Sequence, residues 1–212
     1  MSNIPHTMQL YAILDHFGIA VGALTGVLAA RGRRLDLFGV LVLALVAAFG
    51  GGSLRDVIAG DTPVNWLRSP PYLYTACITA ISAFFVCRTW EPPANLLQIA
   101  DAFALAFFTI AGTQKGLTLG FAMAPAIALG VITGVAGGII RDVLTGRVPM
   151  VFQPHIYLYA TASFVGALGY CLLLSLIGNP TVMWLGVIIT LVLRLSAIRY
   201  RIALPVFPHS ES

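Results

Sequence analysis

Seven apolar runs divide the chain, and each is long enough to cross the hydrocarbon core of a membrane, which is about 30 Å thick. The runs lie at about 10–30, 37–59, 71–88, 96–113, 118–143, 156–177 and 181–198. Only 9% of the residues are charged, roughly a third of the share that is usual in soluble domains. The sequence therefore predicts an all-α membrane protein with seven transmembrane helices and no separate soluble domain.

Basic residues near the ends of the runs predict how the chain is oriented. If the N-terminus is outside, the outer side receives only Arg68 and Lys115, and the inner side receives seven arginines. These are Arg31, Arg33, Arg34, Arg88, Arg147, Arg199 and Arg201. Because cytoplasmic loops carry an excess of basic residues, we expect the N-terminus outside and the C-terminus in the cytoplasm.

The sequence repeats itself at an offset of 86 residues. The matched positions are Asp15 with Asp101, Gly51 and Gly52 with Gly137 and Gly138, Arg55 and Asp56 with Arg141 and Asp142, and, after a shift of one residue, Tyr72 and Tyr74 with Tyr157 and Tyr159. An unrelated apolar sequence would not repeat a rare intramembrane Arg-Asp dipeptide in register. The pattern therefore indicates an internal duplication.

Each copy contains three runs, so the second copy must enter the membrane in the opposite orientation. We expect an inverted repeat with units at 10–90 and 96–178, a seventh transmembrane helix at 181–200, and a cytoplasmic tail at 201–212. Inverted repeats are typical of transporters and channels whose transport path lies at the interface of the two units.

The second and fifth runs combine glycines with charge. The apolar part of the second run, residues 37–49, would form only about 20 Å of helix, so the chain must carry Arg55 and Asp56 to membrane depth. Clustered glycines precede this charged pair, and the fifth run has the same arrangement. Since each glycine weakens a helix by about 1 kcal/mol relative to alanine, we predict that both helices are kinked or broken.

Two interpretations of these segments stay open. In the first, both line a hydrated ion path, with candidate residues Gly50, Gly51, Gly52, Ser53, Arg55, Asp56, Gly134, Gly137, Gly138, Arg141 and Asp142. In the second, the glycines only permit close helix crossing.

The charged pairs also allow two interpretations. A charge at the centre of a span costs at least about 2.5–3.5 kcal/mol, and neighbours on a helix point about 100° apart. We therefore expect reciprocal pairs across the repeat, Arg55 with Asp142 and Arg141 with Asp56, or else direct contact with a permeating ion.

Further charged residues are candidates for the mouths of a path or for gating. Asp15 and Asp101 could attract cations, or could simply complement the helix macrodipole near a helix N-terminus. Lys115 could filter charge or gate, or its side chain could extend to the membrane surface. Arg194 is expected to extend to the inner interface in this second way.

No pattern in the sequence indicates an enzyme or a resident metal. Clustered metal ligands, a nucleophile elbow and a phosphate-binding loop are all missing from the sequence. The net charge of +4 is too small and scattered for nucleic-acid binding. We expect no catalytic residue, no metal, no cofactor and no nucleic-acid partner.

The doubled Gly-Gly-x-x-Arg-Asp signature, in segments 50–57 and 137–143, resembles the prokaryotic branch of the trimeric intracellular cation (TRIC) channel family. The resemblance covers residues from about 10 to 200. It implies a homotrimer in the bacterial inner membrane, in contact with lipid, with a pore for K⁺ and also Na⁺ in each subunit and with the second and fifth helices kinked at the glycines. Some bacterial relatives are labelled glycine transporters, so a secondary transporter of a small solute such as glycine is the alternative.

Overall fold

Helices joined by short loops are the only regular secondary structure over the residues that the computed structural model describes, 6–153 and 158–202. The α-helices are α1 (His6–Ala30), α2 (Leu37–Ile58), α3 (Asn65–Arg68), α4 (Pro70–Thr89), α5 (Leu96–Thr118), α6 (Met123–Leu144), α7 (Tyr159–Ile177) and α8 (Met183–Tyr200). Seven of them, all except the single turn of α3, are long and apolar enough to span a membrane. The all-α fold with seven transmembrane helices is therefore confirmed, while most of the tail at 201–212 lies outside the described residues.

The end of α5 differs most from the sequence prediction. The helix was expected to stop at residue 113, yet it continues through Gln114 and Lys115 to Thr118. Leu119 caps the helix, and the next residue, Gly120, has a φ of +84°, the left-handed conformation that closes many helices. The N–H of Phe121 then donates to the carbonyl of Gly116. The polar side chains of Gln114 and Lys115 did not end the helix, whereas the turn at Gly120 did.

The crossing of α2 and α6 shows the inverted repeat directly. A Cβ added to Gly51 would lie 2.1 Å from the carbonyl oxygen of Thr133, and one added to Gly137 would lie 2.6 Å from that of Ala47. Ala47 and Thr133 are themselves related by the offset of 86 residues. The contact is thus reciprocal, as at a two-fold axis. The predicted inverted arrangement is confirmed.

Both glycine-rich helices are continuous. α2 and α6 run through their glycines without a break in helical structure, so the expectation of broken helices is wrong. The reason is that the glycines allow the two backbones to touch, and a neighbouring helix then shields the weakened turns from lipid and water. A bend within a continuous helix stays a prediction.

The helix α8 makes the two halves of the bundle unequal. α1 packs against α2, α4 and α5, while α5 packs against α6, α7 and α8 as well as α1. Among the described α-helices, α8 contacts only α5 and α7. The second unit is therefore covered by a helix that has no counterpart beside the first.

The crossing generates a stability prediction. Gly51→Ala should lower the free energy of unfolding by about 1–3 kcal/mol, the usual cost of overpacking, because the new methyl group would overlap the Thr133 carbonyl. Gly52→Ala is the matched control, since its Cβ would lie 3.7 Å from its nearest neighbour outside the helix backbone, a guanidinium nitrogen of Arg55. Thermal unfolding of the purified variants in detergent measures both. Equal melting temperatures for the two variants would contradict a packed crossing.

Candidate functional site

Each buried arginine at the end of α2 and of α6 is paired with its own neighbour in sequence. Arg55 Nε donates to Asp56 Oδ1 at 2.8 Å, and Arg141 Nε donates to Asp142 Oδ1 at 2.9 Å. The expected reciprocal pairs, Arg55 with Asp142 and Arg141 with Asp56, are therefore wrong. The two dipeptides lie on opposite sides of the α2–α6 crossing, and the long arginine side chain folds back to reach the adjacent carboxylate.

The second oxygen of each aspartate holds the chain that follows the helix. Asp56 Oδ2 accepts from the backbone N–H of Asn65 at 2.8 Å, and Asp142 Oδ2 accepts from that of Met150 at 2.9 Å. In both copies the Arg-Asp dipeptide thus neutralises a buried charge and fixes the next segment. This part of the signature has a structural role that the sequence did not reveal.

The third charged residue of the second copy completes a closed cluster. Asp101 Oδ1 accepts from Arg141 Nη1 at 2.8 Å, and Tyr159 lies beside the same carboxylate. Asp101, Arg141 and Tyr159 are all at most 5% exposed. Arg141 therefore bridges Asp101 and Asp142 in a sealed environment.

The corresponding group in the first copy is open. Within the described part of the chain, the ion pair that Arg55 makes is with Asp56, and Asp15 forms no ion pair of its own. Asp15 is only half-buried, and its Oδ2 accepts a long 3.3 Å hydrogen bond from the hydroxyl of Tyr72. The three repeat-related charged positions thus form a bridge in the second copy, whereas in the first copy no ion pair joins the arginine to Asp15.

A cleft lies beside Asp15 in the first copy. It is small, with a volume of about 30 Å³, enough for one or a few water-sized particles. The residues that line it come mainly from α1, α2 and α3: Asp15, Ile19, Ala48, Phe49, Gly52, Arg55, Asp56, Asn65, Trp66, Tyr72 and Phe108. Four of the predicted site residues, Asp15, Gly52, Arg55 and Asp56, therefore meet at one cavity. We call this group of residues the cleft.

Arg194 of α8 explains part of the difference between the copies. Its side chain is fully buried. The guanidinium carbon lies 4.7 Å from the centre of the Tyr159 ring, and the guanidinium charge is attracted by the Asp101 carboxylate. The expectation that Arg194 extends to the membrane surface is therefore wrong. The second cluster contains two carboxylates and two guanidinium groups, whereas the first contains two carboxylates and only Arg55.

The remaining predicted residues lie outside the cleft. Ser53 Oγ accepts a 3.0 Å hydrogen bond from Trp66 Nε1. Gly138 adjoins the second cluster, close to the Tyr159 hydroxyl. Helix contacts surround the other predicted glycines, Gly50, Gly51, Gly134 and Gly137. Tyr157, which the repeat aligns with Tyr72, lies outside the described residues, and Tyr159 takes the equivalent place beside Asp101.

Lys115 is held by Asp61, a residue that the sequence analysis overlooked. Asp61 follows α2, pairs with Lys115 of α5, and accepts from Arg68 Nη2 at 2.7 Å. Hydrogen bonds from Arg68 and Lys115 lower the pKa of Asp61 to about 2. The contact joins the first unit to the second at the end of α2, near the cleft. The sequence shows the charges of Asp61, Arg68 and Lys115, but Asp61 and Lys115 are too far apart along the chain for the sequence to indicate their contact.

No group of three or more His, Cys, Asp or Glu side chains within the described residues is arranged to hold a metal ion.

Two segments of the chain, residues 12–88 and 98–175, each match the sequence family described as Glycine transporter. The chain belongs to this family. Among curated relatives, an UPF0126 membrane protein of Vibrio cholerae is 42% identical over 203 residues, which cover 95% of this chain and 84% of the relative. The UPF0126 inner membrane protein YadS of Escherichia coli K12 is 39% identical, over 94% of this chain and 97% of the relative.

This member of the Glycine transporter family has the same fold as solved structures of TRIC channels. A TRIC trimeric intracellular cation channel orthologue from Rhodobacter sphaeroides superposes with a TM-score of 0.84 at 30% identity, covering 90% of this chain and 98% of that one. A second structure, of a prokaryotic TRIC channel in 0.5 M KCl, gives a TM-score of 0.84 at 26% identity over 91% of this chain. The suspected family relationship is therefore confirmed, and the protein is a multi-pass membrane protein.

The charge balance of the second cluster can be tested by a double substitution. Arg194→Gln should destabilise this family member by about 3–5 kcal/mol, because it leaves an excess buried carboxylate. Adding Asp101→Asn restores neutrality and should recover part of that loss. Chemical or thermal unfolding of both single variants and the double variant measures the coupling. Strictly additive losses would show that Arg194 and Asp101 do not compensate each other.

The Asp61–Lys115 contact predicts the reactivity of the only lysine in the chain. Asp61→Asn should make Lys115 react several-fold faster with a water-soluble amine reagent, whereas Asp36→Asn, at the start of α2 and without contact to Lys115, should not. A carboxyl with a lowered pKa contributes its interaction above the unfolded value near 3.8 and loses it only as the pH falls through about 2. The difference in rate should therefore persist between pH 6 and 9. Equal rates would contradict the contact.

Proposed function

We propose that this protein is a channel for monovalent cations, principally K⁺, with one pore in each subunit of a homotrimer. The observation that carries the proposal is the open cleft, in which Asp15 faces a cavity beside a cluster with more carboxylates than guanidinium groups. The similarity to solved TRIC cation channels, one of them described as trimeric, supports both conduction and assembly.

The chemistry of the cleft suits a weakly held cation. Carboxylate and hydroxyl oxygens are suitable ligands for a hard cation, and the cleft offers them from Asp15 and Tyr72. Arg55 and Asp56 neutralise each other, so the charge of Asp15 is left to raise the local concentration of cations. Conduction needs binding that is favourable but weak enough for release, and a single half-buried carboxylate meets that need.

The second cluster would not serve as an equivalent site. Its two guanidinium groups balance its two carboxylates, and its central side chains are sealed from solvent. A path that uses the first copy of the repeat therefore departs from two-fold symmetry inside each subunit. The predicted units at 10–90 and 96–178 would then share a fold but differ in function.

The orientation follows from the distribution of basic residues. We propose that the N-terminus lies outside and the C-terminus in the cytoplasm of the bacterial inner membrane, which places the cleft and Lys115 toward the outer side. Single cysteines introduced at Gly60 and at Arg34, in a background without native cysteines, should react with an impermeant thiol reagent on intact cells at Gly60 only. The reverse labelling pattern would invert the orientation.

The conduction proposal is tested with purified protein in a planar bilayer under a KCl gradient. The wild-type protein should give unitary currents with a reversal potential near that of K⁺. Asp15→Asn should reduce the unitary K⁺ current about five-fold, as expected for losing an interaction on the order of 1 kcal/mol. Glu91→Gln removes a carboxylate that is 92% exposed and far along the chain from the cleft, so its current should match the wild type.

Other outcomes would reject this function. Anion selectivity would exclude a cation channel, and unchanged currents in Asp15→Asn would remove the cleft from the path. Electrical silence combined with saturable uptake of labelled glycine into liposomes would establish a carrier instead.

A further inference from the structure

A second cavity lies where α1 ends, α2 begins and α4 ends. Its volume is about 320 Å³, at the lower end of the range of ligand pockets in proteins. Three arginines, Arg31, Arg33 and Arg88, line it together with apolar side chains. We call this cavity the basic groove. It lies at the opposite end of α2 from the cleft and takes no part in the proposed cation path.

Two of the three guanidinium groups are available for a ligand. Arg31 pairs with Glu91 at 3.6 Å and donates to the carbonyl of Pro92 at 3.3 Å. In the described part of the chain, neither Arg33 nor Arg88 forms an ion pair with a carboxylate, and both are exposed. The basic groove therefore presents positive charge that the protein itself does not neutralise.

The nearest acidic residue in the connection is already engaged. Asp36 precedes α2, and its Oδ1 accepts from the backbone N–H of Gly39 at 2.7 Å. This is the usual arrangement of a helix N-cap. The cap fixes the start of α2 and keeps this carboxylate at the helix end. It thus leaves the arginines of the preceding turn to face an external anion.

The opposite wall of the basic groove is apolar. Val27 and Val40 are buried and Phe84 is partly buried, and all three line the cavity. Beside it, Phe38 and Phe85 are 72% and 53% exposed on helices that span the membrane. A soluble anion would gain nothing from such a wall. A ligand with a negative head and a hydrocarbon chain would use both parts.

We propose that the basic groove binds an anionic phospholipid. Its phosphodiester contacts Arg33 and Arg88, and an acyl chain lies along Val27, Val40 and Phe84. The position at the ends of three spans is the level of the lipid headgroups, where basic pockets between transmembrane helices bind such lipids. The pairing of unneutralised guanidinium groups with an apolar wall favours a lipid over a second protein chain, which would need a larger and more continuous surface.

The test uses the tryptophan that lies two residues after Arg88. In a Trp66→Phe/Trp184→Phe background, Trp90 is the remaining fluorophore among the three tryptophans. The protein is reconstituted in vesicles of phosphatidylcholine that contain increasing fractions of brominated phosphatidylglycerol, or of brominated phosphatidylcholine as reference. Quenching of Trp90 by each brominated lipid gives their relative binding constants.

Phosphatidylglycerol should be preferred by roughly five-fold, the scale of one arginine near an anionic headgroup. Arg33→Gln/Arg88→Gln should abolish the preference. Arg34→Gln is the matched control, because Arg34 is exposed and adjacent in sequence but does not line the groove, so the preference should remain. All of these arginines are exposed or half-buried, so the variants should fold.

Three results would overturn the proposal. An equal loss in Arg34→Gln would show a diffuse surface field rather than a site. Equal quenching by the two lipids in the wild type would show no anionic selectivity. Weak quenching by both lipids would show that another protein chain covers the groove. None of these results depends on ion conduction, so a silent channel would leave this test intact.

Discussion

Two buried arginine–aspartate neighbours hold the structure together at the points where α2 and α6 end. Each charge would cost about 2.5–3.5 kcal/mol or more if left alone at the centre of a span. Pairing within the dipeptide removes most of that penalty without help from the other unit. The free carboxylate oxygen then binds a backbone N–H eight or nine residues later. The pair thereby fixes both the end of the helix and the start of the next segment.

The same pairs explain how one duplicated unit can acquire two roles. Since each dipeptide is satisfied locally, the other carboxylate of each cluster, Asp15 or Asp101, is free to diverge. Around Asp101 the bridge to Arg141 is closed and Arg194 supplies a further positive charge. Around Asp15 no such bridge to Arg55 forms, and no residue of α8 lines the cleft. The helix outside the repeat is therefore the element that makes the two charge clusters unequal, while the α2–α6 crossing preserves the symmetry of the two units.

The sequence predicted those features that depend on periodicity and composition. Apolar runs located all seven transmembrane helices, and the repeated Arg-Asp dipeptide revealed the duplication. Both features can be read from the order of residues alone and do not depend on which side chains are in contact. The sequence also selected Asp15, Arg55 and Asp56, three residues that do meet at the cleft. The pore role that it gave to these residues stays a prediction.

Features that depend on side-chain reach or distant contacts were missed. Helical geometry suggested that Arg55 and Asp56 point apart, but an arginine side chain is long enough to fold back onto its neighbour. Arg194 was expected at the membrane surface because its sequence position does not show that Tyr159 and Asp101 lie beside it. The glycines were expected to kink or break their helices. The reciprocal contact of Gly51 and Gly137 with the opposite backbone, which the sequence does not reveal, shows instead that they are packed in continuous helices.

The most direct measurement is anomalous diffraction from crystals of the protein soaked in a rubidium or thallium salt as a substitute for K⁺. A path through the first unit predicts an anomalous peak in the cleft, within coordination distance of the Asp15 carboxylate, and no peak beside Asp101. A peak in the second cluster, or ordered cations elsewhere in the subunit with none near Asp15, would contradict it.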